Sequence, residues 1–185
     1  YLLEGDYSVP RWYKLSYLKA YVVINMYKVK DMICVLLPGQ KLKNDSKAYG
    51  IMPIIRDGLI GKKLIKKDFI LVYKSVPKFD PILDVLKECK ENFVVYGYDF
   101  EKQDKNLTFK KFSEDGFLKD LLNCKAVICS AGMSLIAETL YAKKPLLVIP
   151  IHGQFEQQLN AFYVRENNFG DFGDSLTKNN IDKFI

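Results

Sequence analysis

Ala126-Val-Ile-Cys-Ser-Ala-Gly-Met-Ser-Leu-Ile-Ala-Glu138 is the stretch on which the fold turns. Four apolar residues suit a short buried strand, Ser130-Ala131-Gly132 breaks it, and a helical pattern starts at Met133 or Ser134 and continues to Ala142. The same unit repeats on either side. Phe69 to Tyr73, Phe93 to Tyr96, Leu107 to Phe109 and Leu146 to Ile149 read as strands, and Pro81 to Glu91, Gly116 to Asn123 and Phe155 to Glu166 as helices. In the first of these helices Ile82, Leu83, Val85, Leu86 and Cys89 supply a buried face. Short apolar strands alternating with amphipathic helices predict an α/β domain with a doubly wound parallel sheet. Strands apolar along their whole length require cover on both sheet faces.

The first part of the chain reads differently. Pro10 to Val29 suits a long helix, Met32 to Leu37 a strand ending at Pro38-Gly39, and Lys41 to Lys47 a polar loop. Pro53-Ile-Ile-Arg-Asp-Gly58 reads as a linker, with Pro53, Gly58 and Gly61 marking a hinge between Ile51 and Gly61. Residues 1–55 are therefore expected to be the remnant of a preceding N-terminal domain plus hinge, and residues 56–185 the α/β domain. The chain begins at Tyr1 and stops at Ile185 inside a helical pattern, which reads as part of a longer protein. Trp12, Tyr13, Tyr17 and Tyr21 are read as packing between helix and core in preference to a membrane-facing stripe.

Composition narrows the classes further. A chain of 185 residues with 49% hydrophobic and 27% charged residues is globular rather than disordered. No apolar run reaches the ~18 residues of a membrane span, and no signal-peptide pattern is visible. Cys34, Cys89, Cys124 and Cys129 lack CxxC spacing and read as reduced thiols of a cytoplasmic protein. A single histidine, His152, makes a zinc site improbable, and no metal or other cofactor is expected. The net charge of +6 reads first as a lysine-rich solvated surface. The alternative is attraction to phosphates or to a membrane surface, hence a location at its inner face.

Chemistry concentrates between Ser130 and Ala161. In open α/β sheets ligands bind beyond the carboxyl ends of the strands. There Gly132 lets the backbone approach a ligand, and the start of the next helix favours an anion such as a diphosphate. Glu138 lies one turn further on, where a carboxylate can accept hydrogen bonds from a ribose diol. The next strand ends at Pro150-Ile-His-Gly153, and the helix that follows carries Glu156 and Asn160 on one face with Gln157 beside them. Carboxylates and amides can bridge neighbouring sugar hydroxyls, although a capped polar first turn would look the same.

Ser-Ala-Gly-Met-Ser-Leu-Ile-Ala-Glu138, Lys144-Pro-Leu-Leu-Val-Ile-Pro150, Phe-Glu-Gln-Gln-Leu-Asn-Ala161 and Asn168-Phe-Gly170 together resemble the donor-binding region of GT-B-fold glycosyltransferases. The nearest pattern is the MurG-like C-terminal domain, which is Rossmann-like, and the likeness covers roughly Phe69 to Gly170. It implies that the backbone of Gly132, Met133, Ser134 and Leu135 faces the diphosphate and that Glu138 holds the ribose. Glu156 and Gln157 would read the sugar, while Asn160 anchors the loop or touches the donor. Lys111 to Phe117 would bracket the nucleobase, with backbone atoms of Ser113 on its edge and Phe112 or Phe117 on its face. Ser75 would be a second phosphate contact, but this sequence has Tyr73-Lys-Ser-Val-Pro77 where relatives carry a glycine-rich turn.

The implied activity is sugar transfer from a nucleoside diphosphate, in particular UDP, to an acceptor hydroxyl on a glycan, a lipid-linked molecule or a small molecule. The resemblance implies inversion without metal, and it identifies no catalytic base in this part of the chain. A hydrolase or epimerase of the same fold, or a non-catalytic sugar-nucleotide-binding subunit, are the alternatives; Gln-x-x-Asn-Ala161 favours transfer over epimerisation. Other motifs fail. Asp171-Phe-Gly173 lacks the rest of a kinase, no Walker A or GxGxxG occurs, and the basic-aromatic patch Phe109 to Phe112 is too short for nucleic acid.

Overall fold

The computed structural model describes residues 32–44, 47–74 and 82–185, preceded by six isolated helical positions between 14 and 26. Those six fall within the anticipated Pro10 to Val29 helix; the rest of that helix, and Trp12, Tyr13 and Tyr17, lie outside the described residues. Met32–Val35 (β1) and Ala48–Ile51 (β2) pair in parallel as a two-stranded sheet of their own.

The main sheet has seven strands: Ile70–Tyr73 (β3), Phe93–Tyr96 (β4), Lys102–Asp104 (β5), Leu107–Phe109 (β6), Ala126–Cys129 (β7), Leu146–Val148 (β8) and Gly170–Phe172 (β9). Their spatial order is β5-β6-β4-β3-β7-β8-β9, all parallel except the edge strand β5. The helices are Ile82–Lys87 (α1), Glu114–Asn123 (α2), Met133–Tyr141 (α3), Phe155–Glu166 (α4) and Lys178–Phe184 (α5).

Alternate residues of each central strand serve opposite faces, as the two-residue period demands. Leu71, Val94, Val127 and Leu146 join one core with Leu118, Leu121, Ile136 and Val164 from α2, α3 and α4. Ile70, Val72, Phe93, Val95 and Ile128 join the other with Leu86 of α1 and Ile181 of α5. The sheet is thus covered on both faces, as the apolar strands require.

The differences from the sequence reading have physical causes. α1 is shorter than Pro81 to Glu91, ending at Lys87, and Pro81 lies outside the described residues. β5 is a polar edge strand, Lys-Gln-Asp, joined to β6 through Lys105 at φ 54°, so no apolar alternation announced it. β9 starts at Gly170, where an added Cβ would lie 1.8 Å from the Leu146 carbonyl oxygen; only glycine lets this strand close on β8. Asn168, at φ 56°, ends α4 in the left-handed conformation.

The anticipated linker is not a bare tether. Leu59, in a 3-10 turn at Asp57–Leu59, is buried in the core shared with α2 and α3. Leu37 enters the same core, and the Tyr163 hydroxyl of α4 donates to the Pro38 carbonyl at 2.5 Å.

Candidate functional site

β3 sits at the middle of the sheet. From it the chain moves outward to β4 and β6, then returns to β7 on the other side and proceeds to β8 and β9. The carboxyl ends of β3 and β7 therefore border the reversal point, where open α/β sheets form their ligand crevice. Lys74 and the Ser130–Gly132 loop stand at this place, because Tyr73 pairs with Cys129. Burial lowers the pKa of the Lys74 ammonium. Ser75, expected as a phosphate contact, lies outside the described residues.

The Ser130–Gly132 turn closes with the Gly132 N–H donating to the Ser130 carbonyl at 2.8 Å. Gly132 is the N-cap of α3 and supplies no side-chain cap, so Met133, Ser134 and Leu135 open the helix with N–H groups suited to an external acceptor. A Cβ at Gly132 would meet nothing within 4 Å among the described residues, so the space before this helix end is open. Ser134 is exposed there.

Glu138, one turn into α3, is buried, and Arg56 grips its carboxylate in a bidentate pair: Nε donates to Oε1 and Nη2 to Oε2, each at 2.6 Å. Donating to the Glu138 carboxylate raises the Arg56 pKa, against the opposing effect of burial. Arg56 also lies 5.4 Å from the centre of the Phe117 ring, a cation–π contact. Each Glu138 oxygen keeps a second lone pair for another donor.

Arg56 was missed by the sequence reading, which placed it in a linker. A signal existed: only three of the chain's 28 basic residues are arginines. In a lysine-rich chain, an arginine set among apolar residues is the type suited to a planar, bidentate carboxylate partner.

Phe117 belongs to an aromatic group with Tyr73, Tyr96 and Phe112, at centroid distances of 5.4, 5.2 and 5.6 Å from its ring. Phe117 is buried, whereas Phe112 is 55% exposed, so Phe112 presents the accessible face. Ser113 caps α2: its Oγ accepts from the Gly116 N–H and its carbonyl from the Phe117 N–H. Behind the group the Tyr96 hydroxyl donates to Asp120 at 2.7 Å, and the Lys110 ammonium donates to the same oxygen at 2.6 Å. Burial, followed by this hydrogen bond, raises the Tyr96 pKa. The buttress fixes the segment that carries Phe112 and Ser113, and sequence reading did not find it.

The opposite wall comes from α4. Asn160 is buried and donates from Nδ2 to the Ala131 carbonyl at 3.0 Å, tying the first turns of α4 to the loop before α3. Gln157 accepts the Ile151 N–H at 2.9 Å through Oε1, which leaves its amide nitrogen as the end suited to a ligand. Glu156 and His152 are exposed, and Gly153, at φ 81°, borders open space among the described residues. Cys129, at the end of β7, is fully buried, and burial pushes its thiol up to about 12. It is an inert packing group. Among the described residues no cluster of three or more His, Cys, Asp or Glu gathers in metal-binding proximity.

Of the expected site residues, the fold thus gathers Gly132, Met133, Ser134, Leu135 and Glu138 on α3 with Glu156, Gln157 and Asn160 on α4. Arg56 connects this group to the aromatic group of Phe112, Ser113 and Phe117.

The comparisons agree with this architecture. A curated Bacillus cereus protein, UDP-N-acetylglucosamine--N-acetylmuramyl-(pentapeptide) pyrophosphoryl-undecaprenol N-acetylglucosamine transferase 3, is 26% identical over 164 residues, covering 75% of this chain and 46% of its own length. This chain therefore spans about half of that relative. Similar solved structures include the glycosyltransferase SnogD from Streptomyces nogalater, with TM-score 0.50 and 19% identity, covering 80% of this chain and 40% of that one. The spinosyn forosaminyltransferase SpnP matches with TM-score 0.52 and 11% identity, covering 94% and 53% of the two chains. These likenesses show the GT-B glycosyltransferase fold anticipated from the sequence. The sequence profile of glycosyl transferase family 1 matches residues 18–185, and the chain belongs to that family.

Proposed function

We propose that this chain holds the nucleotide-sugar donor of a glycosyltransferase, using a UDP-sugar without a metal and transferring to an acceptor hydroxyl with inversion. The observation that carries the reading is the junction of three elements at the sheet reversal point: the open start of α3, the Arg56-clamped Glu138, and α4 tied to the α3 loop by Asn160.

The diphosphate would lie before Gly132 to Leu135, where the helix end contributes about 0.3–1 kcal/mol to anion binding, more where partly buried. As the sugar leaves, charge grows on the diphosphate, and dipoles already aimed at it stabilise the transition state more than the ground state. The outer lone pairs of Glu138 would accept the ribose diol. Phe112 would cover the face of the base, with Ser113 at its edge, and Ser75 would add a second phosphate contact. Glu156 and the amide nitrogen of Gln157 would face the sugar, while Asn160 anchors the loop.

Residues 1–55 would be the end of an acceptor-binding domain with its hinge, and residues 56–185 the donor domain. The acceptor would be a glycan, a lipid-linked molecule or a small molecule, met at the cytoplasmic side of a membrane. Calorimetry with UDP, with and without EDTA, tests the reading. Binding unaffected by EDTA is expected; strict metal dependence, or no binding of any nucleoside diphosphate, would overturn it.

A further inference from the structure

The segment from 56 to 67 leaves the site and follows the C-terminal half of α3. Arg56 is paired with Glu138 just past the middle of that helix, the Gly61 N–H reaches the Tyr141 hydroxyl at its last turn, and the Lys144 ammonium donates to the Ile65 carbonyl just beyond it. The segment is then stitched to the end of α2 by the Ile65 N–H on the Leu122 carbonyl at 3.2 Å and the Lys67 N–H on the Asn123 carbonyl at 2.7 Å. It is a strap fixed by its backbone, with Leu59 buried as its anchor.

Its side chains do the opposite of what such anchoring leads one to expect. Every residue from 60 to 67 is exposed, and the sequence there is Ile-Gly-Lys-Lys-Leu-Ile-Lys-Lys, four lysines with no acid among them. The apolar members stand in solvent as well: Ile60 at 53%, Leu64 at 39% and Ile65 at 47%, beside Tyr141 at 43% and the exposed Lys143. Asp68, which closes the strap, is paired with Lys125; Asp57 precedes it.

Isolated exposed apolar residues are ordinary. Apolar residues interleaved with unopposed lysines on a backbone that cannot retract them are a different case. The lysines attract an anionic surface, and the apolar side chains enter the headgroup boundary once there. Nucleic acid would reward arginine and stacking aromatics, and the strap from 60 to 67 has neither.

We infer that the strap Ile60 to Lys67, with Tyr141 and Lys143, is a docking surface for an anionic lipid bilayer. It does not rest on the donor-site reading. The strap lies at the C-terminal ends of α2 and α3, away from the start of α3, so docking leaves the carboxyl edge of the sheet uncovered.

Flotation with phosphatidylcholine vesicles, with and without phosphatidylserine, tests this on the chain as it stands. The chain should float with the phosphatidylserine vesicles alone, and less so as salt rises. Each surface lysine contributes about a fivefold change in partition. Lys62→Gln/Lys63→Gln should therefore lower it by more than tenfold, and Leu64→Ser/Ile65→Ser should lower it at unchanged lysine content. Both variants should retain wild-type melting and wild-type UDP calorimetry, which separates loss of docking from loss of the fold or of the donor site. Absence of flotation, or flotation unchanged in both variants, would overturn the inference. So would binding that responds to the lysines but not to Leu64 and Ile65 and that single-stranded RNA abolishes, because it would make the strap a nucleic-acid surface.

Discussion

On the α3 side of the candidate site the Glu138 carboxylate is buried and held by two 2.6 Å hydrogen bonds from an arginine 82 residues away in sequence; on the α4 side, Glu156 stands in solvent. The first wall is rigid by construction. A buried carboxylate must be paired, and a bidentate guanidinium fixes its direction as well as its charge. The second wall is anchored one turn deeper, at Asn160, and leaves its leading side chains adaptable. The difference fits a division of labour in which the common nucleotide part of a donor meets the rigid wall and the variable sugar meets the adaptable one.

The largest expected effect lies at the clamp. Glu138→Ala leaves the Arg56 guanidinium partly buried without its partner. Breaking a fully buried pair costs about 3–5 kcal/mol, and the partial exposure of Arg56 reduces that to about 2 kcal/mol. It should also weaken UDP binding by about tenfold or more, since a hydrogen bond to a charged group contributes about 1.5–3 kcal/mol. Denaturant titration and calorimetry measure the two losses. A double-mutant cycle with Arg56→Ala should show strong coupling in stability. Additive losses would mean that the rigid wall is not energetically a unit.

Asn160→Ala comes next. It removes the donor on the Ala131 carbonyl and leaves that carbonyl to find another partner, at a cost of about 1–3 kcal/mol. Since Asn160 joins the two walls, UDP affinity should fall with stability, though by less than at Glu138. Unchanged UDP affinity in a destabilised Asn160→Ala protein would show that the loop before α3 holds its shape without α4.

Strands apolar on both faces left few alternatives to a doubly wound sheet, and the break at Ser130 to Gly132 located its carboxyl edge, so these features were legible in the sequence. Glu138 was legible as a carboxylate one helical turn beyond Ser134, on the helix that opens at that edge. Arg56 was not legible as its partner, because helical or strand spacing says nothing about contacts across 82 residues, and Pro53 and Gly58 read as a linker. The buttress of Tyr96, Asp120 and Lys110 was hidden for the same reason. β5 and β9 were hidden because a polar edge strand and a strand opening on glycine lack the apolar alternation that identifies strands.

The buttress makes a smaller prediction that concerns the segment carrying Phe112 and Ser113, beside the rigid wall. The Tyr96 pKa is raised in the folded protein, so the folded state holds its proton more tightly than the unfolded chain. That stability is fully present below the ordinary tyrosine value, near pH 10, and is lost as pH rises above it. Tyr96→Phe should therefore lose stability at neutral pH, by about 1 kcal/mol for the hydrogen bond, and decline less steeply than wild type in alkaline melts. An equally steep alkaline decline in both proteins would assign the effect to other buried groups.

The smallest expected effect is the one that best sharpens the contrast. Glu156 is exposed at the start of α4, so Glu156→Ala should change stability by no more than about 0.5 kcal/mol, apart from a small loss of favourable charge at the helix start. UDP lacks the transferred sugar and should bind this variant as it binds wild type. What should change is the ranking of UDP-sugars: donors whose hydroxyls the carboxylate bridges lose affinity, and others do not. Competition of several UDP-sugars against a fluorescent UDP derivative measures that ranking directly. Gln157→Ala should act in the same way with a larger stability cost, because its Oε1 also holds the Ile151 N–H. A uniform loss across UDP and every UDP-sugar in Glu156→Ala would mean that Glu156 acts on the diphosphate end, and the two walls would not divide the donor between them.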